Sequence, residues 1–171
     1  MFVTANDFTG EIQIADPGQG LQSWGAIVDR IEEKYLRMLL GNDQFLELID
    51  QWDDSTATNY NQWNDFVEGR EYITADNTTV FYKGVKSFLK YFVYVDLVKD
   101  GHIFVSANQV AESNTGGSEV LKGYEKEKFL NERFNLGVSA YNRAFWYLAN
   151  NDDYDYETGY FFPLQKKTLF K

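Results

Sequence analysis

The acidic run NNDDYDYETG comes closer to a chemical site than any other part of the sequence. Asp153, Asp155 and Glu157 alternate along it, as the oxygen ligands of a calcium-binding loop do. Such a loop also needs a glycine where this chain has Thr158, and a bidentate glutamate where it has Leu164. The run therefore predicts a solvated acidic linker and no metal site.

Other groups for catalysis are scarce. The chain has no cysteine and a single histidine, His102, which excludes disulfides, thiol catalysis and any metal site with two histidine ligands. Motifs for nucleotide phosphates, zinc proteases and serine hydrolases do not occur in it. A small hydrolase with a carboxylate pair stays an alternative, although none of the 26 acidic residues stands out for it. We expect no catalytic residue, no metal and no cofactor.

Length and composition are those of one globular domain. Of the 171 residues, 44% are hydrophobic and 25% are charged, and the net charge is −10. Residues 1–60 hold eleven acidic and three basic residues, so most of that charge lies in the first third of the chain. Proteins that bind nucleic acid through its phosphates need clustered lysine and arginine. The acidic first third therefore argues against nucleic-acid binding.

Aromatic residues make up 18% of the chain, more than we expect one small core to absorb. Tyrosine and tryptophan are favoured at interfaces, so the surplus indicates surface that is buried against other chains. An alternative is a soluble binding module without catalysis, for example for carbohydrate, which would use Trp52, Tyr60 and Trp63.

The hydrophobic periodicity predicts a mainly α fold: a bundle of about four to five helices, with a small β-hairpin and extended terminal arms. Two apolar stripes at helical spacing flank Gly41, a natural helix end, so we expect a tight αα-hairpin there. The stripes consist of Trp24, Ile27, Val28, Ile31, Tyr35, Met38 and Leu39, and of Phe45, Leu48, Ile49 and Trp52. A short helix then ends at Gly69, and residues 70–82 predict the β-hairpin.

The stretch KSFLKYFVYVDLVKDG predicts a helix that is apolar on nearly every side. Its uninterrupted apolar run, Tyr91–Val95, is far shorter than the ~20 residues that a membrane span needs. We therefore expect a central core helix and no membrane contact. Lys83, Lys86, Ser87 and Lys90 should form its one polar stripe.

The predicted helical domain covers residues 21–150, between an extended segment, residues 1–20, and a C-terminal arm, residues 151–171. Residues 100–118 form a long loop, and such loops inside compact domains are usually functional or interfacial. The arm is apolar enough that it either packs back on its own domain or reaches a neighbour. The last helix carries one apolar stripe, formed by Leu130, Phe134, Val138, Tyr141, Phe145 and Leu148.

Several segments, taken in order, resemble one known family. They are YLRMLLGNDQFLELI, FVEGREY, VFYKGVKSFLKYFVYVDLV, VSANQVAESN and AYNRAFWYLANN. Their succession resembles the head–tail connector proteins (adaptor or ring proteins) of tailed bacteriophages, in particular those of phages that infect Bacteroidetes, including the crAss-like phages. The resemblance runs from about Trp24 to Asn151 and is strongest from FVEGREY to YVDLV.

The resemblance implies a structural protein of the virion with no enzymatic activity. Such subunits form a homo-oligomeric ring, typically a dodecamer, which assembles in the host cytoplasm and binds below the portal protein at the head–tail interface. The ring continues the DNA channel toward the tail or further ring proteins, and double-stranded DNA passes through without specific binding. A ring of this kind needs two different apolar faces on each subunit.

In such a ring the long loop and the C-terminal arm would reach neighbouring subunits or the portal protein. The loop would contribute His102, Ile103, Phe104, Val105 and Asn108, and the arm Tyr160, Phe161, Phe162, Pro163, Leu164, Leu169 and Phe170. Asp50, Asp53 and Asp54 are candidates for an acidic channel lining, because DNA slides past a surface that does not hold its phosphates.

Overall fold

A computed structural model describes residues 2–12, 17–100, 123–151, 154 and 164–166 of the chain. Over these residues the chain forms two 3-10 turns, four α-helices and two β-strands. The turns are Ala5–Asp7 and Gly10–Ile12; the helices are α1 (Pro17–Gln51), α2 (Tyr60–Glu68), α3 (Lys86–Lys99) and α4 (Gly123–Ala149); the strands are β1 (Arg70–Ile73) and β2 (Thr79–Tyr82). The predicted mainly α fold with a small β-hairpin is confirmed.

Helix α3 is the centre of the bundle and packs against both α4 and α1. The ring of Phe92 stacks on Tyr35 of α1, with centroids 4.0 Å apart, and lies 5.4 Å from the ring of Phe134 on α4. Phe92 is therefore the point at which three helices meet, as suits the predicted core helix. The buried side chains of α3 are Phe88, Leu89, Phe92, Val93, Tyr94, Val95, Leu97 and Val98.

The polar stripe of α3 has the predicted composition. Lys83 is exposed just before the helix, and Lys86, Ser87 and Lys90 are half-buried along it. None of the helices in the described ranges is both long enough and apolar enough to cross a lipid bilayer.

Helix α4 approaches α3 closely at Gly137. A Cβ atom on this residue would lie 2.8 Å from Cε1 of Phe92 and 3.1 Å from the Cβ atom of Tyr91. Both distances are shorter than an ordinary contact between carbon atoms. The two helices can therefore pack this closely only because residue 137 has no side chain.

Helix α1 is broken at Gly41, whose backbone has φ 75° and ψ −177°. A positive φ suits glycine, which has no Cβ atom. The N–H group of Phe2 binds Glu32, while the Phe2 ring lies 5.1 Å from the ring of Trp52. A straight helix would hold residues 32 and 52 about 30 Å apart, so the chain folds back at the break. The predicted reversal of the chain direction is present, and Gly41 is the residue with non-helical backbone angles at the break.

Residues 2–12 form the two 3-10 turns, so the N-terminal segment is not extended as the sequence predicted. The N–H groups of Phe2 and Val3 donate to the two carboxylate oxygens of Glu32 at 2.9 and 2.7 Å. This buried carboxylate, together with apolar contacts, folds the segment onto the bundle. Four of its side chains are in the core: Phe2, Val3, Phe8 and Ile12.

Two residues that the sequence assigned to the core stripes are exposed. Met38 is 45% exposed and Ile49 is 46% exposed. In the second half of α1, Phe45 and Leu48 occupy the core side, and Ile49 lies about 100° further round the helix. A short helical segment at the edge of the bundle buries only a narrow face, which excludes Ile49. The other stripe residues with a described side chain are buried or half-buried.

Most of the aromatic side chains that the structure describes are buried or half-buried. Among the aromatic side chains that the structure describes, only Phe81 and Trp146 are exposed. Many of the buried rings pack on one another, as in the stacked pairs Tyr35–Phe92 and Tyr82–Tyr147. In the described part of the chain the aromatic residues therefore mainly build the core, and the expectation that the surplus serves an interface stays a prediction.

The C-terminal arm packs on its own domain at the two apolar positions that the structure describes. Tyr154 is buried, with its ring 5.5 Å from that of Trp63. Leu164 is half-buried, and its backbone N–H and carbonyl groups bind the side-chain amide of Asn142 at 2.8 and 2.9 Å. Of the two alternatives for the arm, these positions favour packing within the chain.

We expect Gly137→Ala to lower the free energy of unfolding by about 1–3 kcal/mol, the usual cost of overpacking a core. In an exposed helix the same change would instead raise the free energy of unfolding by about 1 kcal/mol. Urea denaturation followed by circular dichroism measures the difference, with Ser139→Ala in the same helix as the control. A variant more stable than the wild type would show that α3 and α4 can separate here at little cost.

Glu32→Ala should lower the free energy of unfolding by about 2–4 kcal/mol at neutral pH, because two buried N–H groups lose their acceptor. Burial raises the pKa of Glu32, although the hydrogen bonds from Val3 and Phe2 oppose the rise. The folded state thus binds this proton more readily than the unfolded state does. The stability that Glu32 contributes should therefore fall as the pH rises from 4.5, the ordinary pKa of a glutamate, through the raised pKa of Glu32.

Urea denaturation of wild type and Glu32→Ala across this pH range tests both expectations. Glu33→Ala, at the exposed neighbouring position, is the control and should change stability by less than about 0.5 kcal/mol. A deficit of Glu32→Ala that grows with rising pH would contradict the sign of the shift.

Candidate functional surfaces

The buried charged groups of the described residues are engaged by the fold. They are Glu32 and Arg133. Both oxygens of Glu32 accept backbone N–H groups, and the guanidinium of Arg133 lies 4.4 Å from the centroid of the Phe129 ring. A carboxylate-pair hydrolase needs a second carboxylate facing the first, and no second one is buried in this part of the chain. These groups therefore give the hydrolase alternative no support.

A cluster of tyrosines joins the hairpin, α2, α4 and the start of the arm. The Tyr154 hydroxyl donates to the backbone carbonyl of Gln62 at 2.5 Å and lies 3.4 Å from the Tyr147 hydroxyl. Burial raises the pKa of Tyr82, Tyr147 and Tyr154, so their phenols stay protonated at neutral pH and do not act as bases. The cluster therefore has a structural role: it holds the hairpin, α2, α4 and the start of the arm together.

The aromatic residues considered for a carbohydrate site are poorly exposed. Trp63 is 1% exposed, and Trp52 and Tyr60 are half-buried. A sugar stacks on an open ring face. Trp63 therefore cannot contribute to such a platform, and Trp52 already packs against Phe2.

The described residues include no group of three or more histidine, aspartate or glutamate side chains that could hold a metal ion. Two exposed aspartates have a lowered pKa, and in both cases threonine causes it. The side chain of Thr56 lowers the pKa of Asp54, and the side chains of Thr74 and Thr78 lower that of Asp76. These carboxylates stabilise turns.

The outer face of the hairpin exposes two large apolar side chains. Strand register sends Tyr72 and Tyr82 inward, against Tyr147 of α4, and leaves Ile73 and Phe81 outward. Ile73 is 65% exposed and Phe81 is 54% exposed. Glu71 lies opposite Phe81 on the same face. Lys83 and Lys86 follow Phe81 along the chain, and we call Ile73 and Phe81 the hairpin face.

A second exposed surface combines apolar and acidic side chains at the end of α1. Leu46 is 52% exposed and Ile49 is 46% exposed, and Asp50 and Asp53 are exposed beside them. Leu46, Ile49 and Asp50 lie three and four residues apart, which puts them on one side of the helix, and Asp53 follows just past its end at Gln51. We call these four residues the acidic stripe. No basic residue occurs in the 32 positions between Arg37 and Arg70.

The predicted functional residues have three different outcomes. Asp50, Asp53 and Asp54 lie together on the surface at the end of α1, and their role in lining a channel stays a prediction. Leu164 binds its own domain through Asn142. The rest of the predicted contact residues lie outside the described residues: His102, Ile103, Phe104, Val105, Asn108, Tyr160, Phe161, Phe162, Pro163, Leu169 and Phe170.

The sequence analysis did not predict that the apolar residues of both surfaces are exposed. For Ile73 and Phe81 the signal was available, because residues alternate between the two faces of a strand, and Tyr72 and Tyr82 take the inner one. For Leu46 and Ile49 no such signal was available, since the periodicity of a short segment allows Ile49 on either side of the core boundary.

Comparison with known proteins adds no relative: no protein-family model, no curated protein and no solved structure matches the chain.

We expect the double substitution of Ile73→Thr and Phe81→Thr to change the free energy of unfolding by less than about 1 kcal/mol, because both side chains are exposed and threonine suits a strand. The neighbouring change Tyr82→Ala, at a buried position, should cost about 3–5 kcal/mol. Urea denaturation compares the two. A loss of several kcal/mol in the double variant would mean that this face is covered in the folded chain.

Proposed function

We propose that this chain is a subunit of a ring at the head–tail interface of a tailed bacteriophage, where the ring continues the DNA channel below the portal protein. The observation that supports it best is the pair of exposed apolar surfaces, the hairpin face and the acidic stripe, on two different elements of one small domain. In a cyclic ring each copy contacts one neighbour through one surface and the other neighbour through a second.

The sequence resemblance gives the proposal its specific class. Its strongest part, residues 66–98, covers the end of α2, the whole hairpin and nearly all of α3. These elements carry the hairpin face and the centre of the bundle. A net charge of −10 also suits a ring through which DNA passes without being held.

The test is assembly on a portal ring. We expect the purified chain, mixed with the portal protein of a phage that encodes a chain of this kind, to form complexes whose mass exceeds that of the portal by multiples of 19.9 kDa. Mass photometry measures this directly, and electron microscopy of the complex shows whether the added density is a ring.

An unrelated acidic helical protein of similar size is the matched control and should leave the portal mass unchanged. The double variant with threonine at positions 73 and 81 should bind the portal or its neighbours less well while staying folded. A chain that stays monomeric and ignores the portal ring would contradict the proposed function.

A further inference from the structure

We infer that, in the assembled ring, residues 164–166 of each copy bind α4 of a neighbouring copy. They would use the same contact that they make with their own α4 in the single chain. The contact centres on Asn142, and we call Asn142 and the apolar surface beside it the arm site. The inference rests on the proposed function, for which it names one contact between subunits.

The arm site binds the main chain of the segment that occupies it. The side-chain amide of Asn142 donates to the carbonyl oxygen of Leu164 at 2.9 Å and accepts the N–H group of the same residue at 2.8 Å. A β-strand forms the same two bonds with its neighbour at every second residue. The half-buried side chain of Leu164 packs against the core. The site therefore fits an extended peptide that carries one apolar residue.

The segment in the arm site is weakly attached, whereas the start of the arm is firmly held. Leu164 contributes one half-buried side chain and two neutral hydrogen bonds, each worth about 1 kcal/mol, and the next two residues, Gln165 and Lys166, are exposed. Tyr154, by contrast, is buried and donates its hydroxyl to the carbonyl of Gln62. Residues 164–166 can therefore leave the site while Tyr154 stays in its own domain.

The chain between Tyr154 and Leu164 is longer than the contact within one copy requires. The Tyr154 ring lies 5.6 Å from that of Tyr147, and Asn142 comes five residues before Tyr147, which is about 7.5 Å along the helix. The ten residue steps from 154 to 164 can span up to about 33 Å when extended. This length lets residues 164–166 reach the arm site of an adjoining copy.

The contact within one copy leaves apolar surface uncovered beside the arm site. Trp146 lies one turn beyond Asn142 on the same side of α4 and is 52% exposed. In a ring, the copy that donates its arm must lie within reach of this surface and can cover the Trp146 ring. Burial of apolar surface is favourable, so exchange between copies adds a contact that the single chain lacks.

Exchange of the arm produces the kind of contact that a ring needs. The arm and the arm site are different parts of the chain, and the structure shows that they fit each other. Each copy gives its arm to one neighbour and receives an arm from the other, which is a heterologous contact. The hydrogen bonds lost within a copy form again between copies, as in other cases of domain swapping.

A pair of engineered cysteines tests the exchange, because the chain has no cysteine of its own. The variant carries Arg143→Cys and Gln165→Cys, at exposed positions next to Asn142 and Leu164, and a short bifunctional maleimide links them. A site tethered by a short link has an effective concentration on the order of 1 mM. In the free chain at about 1 µM we therefore expect links within one copy, which leave a monomer on a denaturing gel.

On the portal ring we expect the same variant to form links between copies. The denaturing gel should then show a ladder at multiples of 19.9 kDa that extends beyond the dimer. An equal mixture of the two single-cysteine variants on the portal should give linked dimers and nothing larger, and each single variant alone should give none.

Two alanine variants in the double-cysteine background connect the links to the arm site. Asn142→Ala removes both hydrogen bonds, so it should weaken binding of the arm by about tenfold or more and lower the yield of linked product. Glu132→Ala, at an exposed position of the same helix, is the matched control and should leave the yield unchanged.

The outcomes on the portal separate the inference from the proposed function. A ring whose links all lie within single copies, or whose linked products end at the dimer as in a reciprocal exchange between two copies, would overturn the inference and leave the function standing. A ladder that Asn142→Ala does not reduce would place the contact outside the arm site and overturn the inference as well. If no ring forms on the portal, the proposed function fails, and arm exchange within the ring fails with it.

Discussion

The packing of Phe92 against Gly137 is the constraint on which the rest of the structure depends. Because residue 137 has no side chain, α4 comes close enough for the Phe92 ring to lie against its backbone, and the same ring stacks on Tyr35 of α1. Two helices are thus positioned by one aromatic side chain of α3. The hairpin depends on the same contact indirectly, since its inner face packs on Tyr147 of α4.

This arrangement gives a small domain two surfaces at fixed positions. The end of α1 carries most of the acidic stripe and strands β1 and β2 carry the hairpin face, and both elements are held on α3 and α4 by buried aromatic contacts. Two buried polar side chains serve as joints: Glu32 fastens the N-terminal turns, and Tyr154 fastens the start of the C-terminal arm. The function that we propose would act through the exterior of the domain.

The fold was largely predictable from the sequence, whereas the surfaces were not. Periodicity located α3, α4 and the hairpin because each buries a wide or strictly alternating face. It misassigned Ile49 and Met38, since apolar residues at the edge of a stripe have the same spacing whether or not another element covers them. It missed the turns of residues 2–12, which depend on Glu32, a residue 29 or 30 positions away. The aromatic content alone could not separate core from interface, because composition counts rings without showing how tightly they stack.

The hydrogen bond from Tyr154 to the carbonyl of Gln62 joins positions 92 residues apart, and this separation has a consequence for how the chain folds. Contacts between neighbouring elements, such as the hairpin, close small loops and form early, whereas distant contacts must wait for a large loss of chain entropy. On the ribosome, residue 154 emerges after all four helices have been made. Until then Trp63 and Phe66 lack the ring that covers them, so the aromatic joint is the last part of the core to close, and the nascent domain stays open at the end where its hairpin lies.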